Sequence, residues 1–308
     1  MVAIPSEFAA RIAGRPADPR ATSPVDGDAW LDRLPHLFAD YLERWNLRAE
    51  EGAWSGENAI VVPVRRGTGE AAALKLTWPH VESEWEHLAL RLWNGRGAVR
   101  MLAADPPQQA LLLERLDATR PLSRENVIDA CEVLGGLFRT LDCPAPAQVE
   151  ALEERAGRWH RVLTEPTPLV PRRLQDQARA AVVDLLAGVG EGRLVHEDLH
   201  DGNVLAPLAA ERGEWLAIDP KPVAGEWAYA VAPVVWNRAE ETARAYNLRT
   251  HTRIRAEIVA EVAGLDQERV RGWTFVRLVL NALWAAEHAP ASDEFRARMI
   301  TLAKAFAS

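Results

Sequence analysis

The apolar pattern of this chain changes period once, near Leu116, and that change restricts the architectures open to it. Before it, short apolar runs over 59–64, 71–76, 98–103 and 110–114 stand between turn residues such as those at 67–69. Runs of that kind predict β-strands. Between the second and third, Trp85, Leu88, Leu92 and Trp93 recur at helical spacing and predict a helix over 81–93. Strand, strand, helix, strand, strand makes a small sheet with one helix across it. Upstream, residues 30–45 carry an amphipathic helical pattern, and 14–27 is a Pro-, Asp- and Gly-rich irregular connection.

After Leu116 the spacing becomes that of helices, over 124–141, 150–163, 174–186 and most of 227–306. Short β-type pieces at 194–195, 203–205 and 215–218 interrupt them. The pattern predicts an α+β protein with a small β-rich N-terminal lobe and a larger, mainly helical C-terminal lobe. The lobes would be residues 1–116 and 117–308, with the boundary near 116–122, and a length of 308 residues suits two such bodies.

Composition removes several function classes. A formal net charge of −8 argues against a nucleic-acid binder and suits a cationic small-molecule substrate. No apolar run reaches the length of a membrane span, and the first residues do not form a secretory signal. The two cysteines, Cys131 and Cys143, make no disulfide framework, so a cytoplasmic location is expected. No obligate protein partner is implied. Walker, zinc-ligand, G-x-S-x-G and dinucleotide-binding patterns are all missing from the sequence.

The chemistry sits between residues 195 and 220. His196-Glu197-Asp198 opens an H-x-D-x-x-x-x-N loop that ends at Asn203, and Asp219 closes the next β-type piece. Phosphoryl transfer needs an acceptor for the proton of the attacking hydroxyl, oxygen ligands for Mg²⁺ and positive charge on the phosphates. Asp198 meets the first need, and Asn203 and Asp219 meet the second. His200 reads as a packing or capping residue, since Asp198 already fills the role of base.

Lys75 meets the third need: it is a lysine inside an apolar strand, where kinases place their phosphate-binding lysine and orient it with a helical glutamate. Glu82, Glu84 and Glu86 are candidates for that glutamate. Glu84 is preferred because it lies four residues before Leu88, with Glu86 next. Ser55, in the turn 54–58, is placed over the nucleotide phosphates, and the stretch from Glu114 to Leu116 where adenine meets backbone groups.

These motifs resemble the aminoglycoside phosphotransferase superfamily, in its aminoglycoside/hydroxyurea kinase branch. Beside the catalytic segment, the resemblance rests on Leu74-Lys75-Leu76-Thr77-Trp78-Pro79, Leu111-Leu112-Leu113-Glu114-Arg115-Leu116, Ala217-Ile218-Asp219-Pro220-Lys221-Pro222 and Trp236-Asn237-Arg238. It implies a protein-kinase-like two-lobed fold and transfer of the γ-phosphoryl of ATP, with Mg²⁺, to a hydroxyl of a streptomycin-like aminoglycoside. By the same resemblance Asp198 is the base, Asn203 and Asp219 hold the metal and Lys75 binds phosphates. Another metabolite or sugar as acceptor, and a catalytically inactive binding module, are the alternatives. Glu197 and Asp201 depart from the pattern and add negative charge; with Glu226 they offer carboxylates to a polycation. Trp236 offers a ring face.

Overall fold

The computed structural model describes residues 4–288 and 290–307. The chain divides into two compact units, Met1–Ala118 with Ala206–Leu216, and Thr119–Leu205 with Ala217–Ser308. The return of Ala206–Leu216 to the first unit departs from an unbroken second lobe over 117–308. Local periodicity assigns a short hairpin no partner; Arg212 does, by donating to Glu114, to the Gly95 carbonyl and to the Ala98 carbonyl, all in the first unit.

The first unit begins with helices Ser6–Ile12 (α1) and Gly27–Arg44 (α2). Asp26 starts α2 by accepting the Ala29 N–H, a cap that satisfies one of the helix's orphan donors. Strands Leu47–Ala49 (β1), Trp54–Ser55 (β2), Ala59–Arg66 (β3) and Ala71–Thr77 (β4) follow. Next come helix Glu86–Trp93 (α3) and strands Met101–Asp105 (β5), Ala110–Glu114 (β6) and Leu116–Pro121 (β7), the last of which leads into the second unit. The sheet is antiparallel in the order β1-β3-β4-β6-β5, with β2 also on β3. Register sets Val62 opposite Leu74 and Leu74 opposite Leu112.

Because strand side chains alternate, Ile60, Val62, Val64, Leu74, Leu76 and Leu112 share one face. They form a core there with Phe8, Ile12, Trp30, Leu34 and Phe38 of α1 and α2. Each such burial contributes about 1.5–3 kcal/mol. Lys75, between Leu74 and Leu76, therefore falls on the opposite face. The helix expected over 81–93 is shorter. Val81–Ser83 is a single 3₁₀ turn, and α3 starts only at Glu86.

The second unit contains helices Val127–Leu141 (α4), Leu152–Thr164 (α5) and Arg172–Leu186 (α6), then strand Arg193–His196 (β8). The chain leaves for the first unit within Val204–Pro207 (β9) and returns within Leu216–Ala217 (β10). Strand Pro222–Gly225 (β11) and helices Ala232–Trp236 (α7), Ala239–Arg244 (α8), Leu248–Ala263 (α9), Gln267–Glu287 (α10) and Asp293–Phe306 (α11) complete it. Gly135 lets α4 meet α9 closely: a Cβ there would lie 2.7 Å from Cβ of Val262. β8 and β11 pair antiparallel, His196 opposite Pro222 and Val195 opposite Val223. Among the described residues no helix is long and apolar enough to cross a membrane.

Candidate active site

The β8–β11 ladder builds the site in the second unit. It sets the loop after β8 beside the segment before β11, and the Glu197 N–H donates to the Lys221 carbonyl at 3.0 Å. His196, at the end of β8, is fully buried and joins the two segments. Its Nδ1 accepts the Asp198 N–H at 3.2 Å, so the ring proton sits on Nε2, which donates to the Ile218 carbonyl at 3.1 Å. Burial pushes its pKa down to about 4, with only partial compensation from the Ile218 carbonyl and nearby carboxylates, so the ring is neutral.

Asn203 Nδ2 donates to the Asp198 carbonyl at 3.0 Å, and the Ile218 N–H donates to the Asn203 carbonyl at 2.9 Å. Asp198, Asn203 and the residue before Asp219 are thereby linked. Asp219 itself has φ 54°, in the left-handed region, immediately before Pro220. A non-glycine residue held there costs of order 1–3 kcal/mol, which the surrounding ladder must hold in place.

The donors suit a hard cation. Asn203, with Nδ2 committed to a backbone carbonyl and Oδ1 left as the oxygen it could offer, and Asp219, with its carboxylate, are the residues that could hold one. Among the described residues no cluster of three or more His, Cys, Asp and Glu side chains forms a closed metal cage. Two protein oxygens, completed by phosphate and water, are the manner in which Mg²⁺ is commonly held.

In the first unit Lys75 Nζ lies 2.7 Å from both carboxylate oxygens of Glu86. Both side chains are buried. The glutamate paired with Lys75 is thus Glu86 and not the preferred Glu84. Counting four back from Leu88 assumed a continuous helix. The 3₁₀ turn at Val81–Ser83 breaks that register, and Glu84 instead accepts the Thr22 N–H.

Ser55 ends β2 on a tight turn in which the Gly56 N–H donates to the Ala59 carbonyl. Arg11 clamps that turn, donating to Ser55 Oγ at 3.2 Å and to the Gly56 carbonyl at 3.1 Å. Glu114 ends β6 and gives both carboxylate oxygens to Arg212, at 2.7 and 2.9 Å. Leu116 is buried at the start of β7.

The carboxylates expected to attract a polycation are already matched by arginines. Burial pushes the Glu197 carboxyl up, but Arg155 and Arg277 outweigh it and hold the pKa at about 2; Tyr229 Oη also donates, at 2.9 Å. Asp201 behaves likewise: burial opposes the charge, and nearby His200 together with the hydrogen bond from Arg238 brings the pKa to about 2. Glu226 accepts from Arg269 and from Trp273 Nε1. Trp236 has the Arg277 guanidinium 4.9 Å from its ring centroid. These four serve an arginine-matched framework, and sequence could not show the partners because each comes from a distant helix or loop. His200 caps its own turn, Nδ1 accepting the Gly202 N–H at 3.1 Å.

One site residue went unassigned by sequence reasoning. Lys221 Nζ lies 3.0 Å from Asp198 Oδ2. A signal for it existed: the chain has 36 Lys and Arg residues, of which only Lys75, Lys221 and Lys304 are lysine.

Residues 44–289 match the model of the aminoglycoside/hydroxyurea antibiotic resistance kinase family. A streptomycin 6-kinase of Streptomyces glaucescens is 40% identical over 91% of this chain and 91% of its own length. A hydroxyurea phosphotransferase of Kitasatospora aureofaciens is 42% identical over 85% of this chain and 76% of its own. The crystal structure of a choline kinase from Streptococcus pneumoniae superposes with a TM-score of 0.57 at 12% identity, covering 88% of this chain and 98% of that one, a likeness of fold.

Proposed function

The chain belongs to the aminoglycoside/hydroxyurea antibiotic resistance kinase family, a phosphotransferase acting on a hydroxyl group, and on that premise we propose that it moves the γ-phosphoryl of ATP to a ring hydroxyl of a streptomycin-like aminoglycoside. The product would be an inactivated antibiotic. The observation that carries the chemistry is the linked set of Asp198, Asn203 and Ile218, the residue before Asp219, around a neutral, buried His196. The acceptor rests on the relative named a streptomycin 6-kinase.

In this reading Asp198 accepts the proton of the attacking hydroxyl. His196 holds the Asp198 backbone, so the carboxylate starts from a fixed loop. Asn203 Oδ1 and Asp219 would hold Mg²⁺, which neutralises charge on the phosphates when bound. Lys75, oriented by Glu86, is the phosphate-binding lysine. The framework of Glu197, Asp201 and their arginines keeps the loop in shape.

The second reading, hydroxyurea as acceptor, has a specific warrant in the relative named a hydroxyurea phosphotransferase. One experiment decides between them. The protein is incubated with ATP and Mg²⁺ and, in parallel, streptomycin, hydroxyurea or an uncharged sugar, and products are read by mass. A streptomycin product one phosphoryl group heavier supports the proposal. Turnover of hydroxyurea or sugar with none of streptomycin overturns it in favour of that acceptor.

A further inference from the structure

Positive charge in this chain is written almost wholly as arginine: 33 arginines stand against three lysines. Several carboxylates are met by a guanidinium fork, as in Arg193 on both oxygens of Asp142 and Arg212 on both oxygens of Glu114, while the buried Glu86 is met by Lys75. A fork engages both oxygens of a carboxylate, whereas an ammonium is a compact point charge. Asp198 is met by a lysine. Lys221 Nζ lies 3.0 Å from Oδ2 of Asp198. The pair is about a quarter to a third exposed, 31% for Lys221 and 24% for Asp198, so an incoming molecule can reach it.

The backbone carrying Lys221 is stiff. Prolines at 220 and 222 bracket it, each with φ fixed near −65°, and each restricts the residue before it. Its carbonyl accepts the Glu197 N–H, next to Asp198, and β11 begins at the following residue. The ammonium is therefore delivered to Asp198 from a fixed anchor, two residues after Asp219.

We propose that Lys221 is a positioning residue for phosphoryl transfer, clamping Oδ2 of Asp198 so that Oδ1 is aimed at the acceptor hydroxyl. The inference rests on the kinase reading above. In the step it serves, the acceptor O–H proton passes to Oδ1 of Asp198, and the acceptor oxygen forms a bond to the γ-phosphorus. The bond from that phosphorus to the β,γ-bridging oxygen breaks, and ADP leaves with the electron pair.

The test compares wild type with Lys221→Met, Lys221→Arg, Asp198→Asn and the double variant Lys221→Met/Asp198→Asn. Lys221→Met is expected to lower kcat about 10- to 100-fold, the scale for loosening a reacting group by an ångström. KM for ATP and for the acceptor should stay within a few-fold, and the melting temperature should be unchanged. Lys221→Arg restores charge but occupies both oxygens, and is expected to recover only part of the rate. Because Lys221 acts through Asp198, the double variant should be no slower than Asp198→Asn alone.

Full activity in a folded Lys221→Met protein, a defect confined to KM for ATP, or a double variant slower than Asp198→Asn by the whole Lys221→Met factor would each overturn the proposal. If Lys221→Met melts early, Lys221→Arg supplies the same comparison. Rates are read on whichever acceptor the wild type uses, streptomycin or hydroxyurea, and on slow hydrolysis of ATP by water if it uses neither. Wild-type acceptor choice thus reports on the function, and the variant-to-wild-type ratio reports on Lys221.

Discussion

Two lysine–carboxylate pairs, one in each unit, show opposite solutions to one electrostatic problem. Lys75 and Glu86 are sealed, with 5% and 4% of their side chains exposed, and the lysine touches both oxygens. Lys221 and Asp198 stand partly open, with the ammonium 3.0 Å from Oδ2. Sealing makes a pair rigid and costly to break, because the partner left behind is an uncompensated buried charge. Openness makes a pair weak in stability, about 0–1 kcal/mol, but leaves it able to meet a new molecule. The first arrangement suits a group that must be oriented in advance, the second a group that must exchange a proton.

The largest expected effect breaks the open pair. Asp198→Asn should lower turnover by at least about 10²-fold, the scale for losing a general base, while urea unfolding stays as in wild type. Near-normal kcat in that variant would remove Asp198 from the chemistry. Asp219→Ala and Asn203→Ala should raise the Mg²⁺ concentration needed for half-maximal rate, with Asp219 the more severe because it brings a full charge to the cation. Unchanged magnesium titrations in both would contradict the ligand assignment.

The sealed pair is expected to fail differently. Glu86→Ala should cost about 3–5 kcal/mol of folding stability, whereas Glu84→Ala, at a partly exposed position, should stay within about 1 kcal/mol. Equal losses at the two positions in denaturant unfolding would erase the distinction between Glu86 and Glu84.

A smaller effect concerns acid. The His196 pKa is lowered by burial to about 4 from an ordinary 6.5, so the unfolded chain takes up the proton first as pH falls. The stability owed to the neutral ring is complete above about pH 6.5 and is lost progressively toward pH 4, by up to about 3 kcal/mol. Urea unfolding between pH 7.5 and 4 should show that slope, and a His196→Asn protein should show a flatter one. Identical slopes would mean that other groups govern acid sensitivity.

What could be read from residues alone follows a clear line. The strands Ala59–Arg66, Ala71–Thr77 and Ala110–Glu114 and the helices α2, α4, α5 and α6 were legible because their apolar periodicity is local. The loop from His196 to Asn203 and Asp219 was legible because its spacing is itself the motif. Beyond those lay everything that depends on distant partners. The start of α3 is one case: a 3₁₀ turn and a helix carry the same apolar spacing over 81–93, and only packing against the sheet chose Glu86 to meet Lys75.

The sequence by itself determined the α+β class and marked Asp198, Asn203, Asp219 and Lys75 as candidate site residues, since covalent spacing and side-chain chemistry suffice for those. The tertiary structure decided which carboxylates are spent. Glu197, Asp201 and Glu226 looked like a cation-attracting set, but Arg155, Arg238 and Arg269 reach them from 42, 37 and 43 residues away. It also decided that Asp198 meets Lys221, a relation made by the β8–β11 ladder across 23 residues of chain. Charge is written in the sequence, but its compensation is a matter of distance, and distance is set only when the chain has folded.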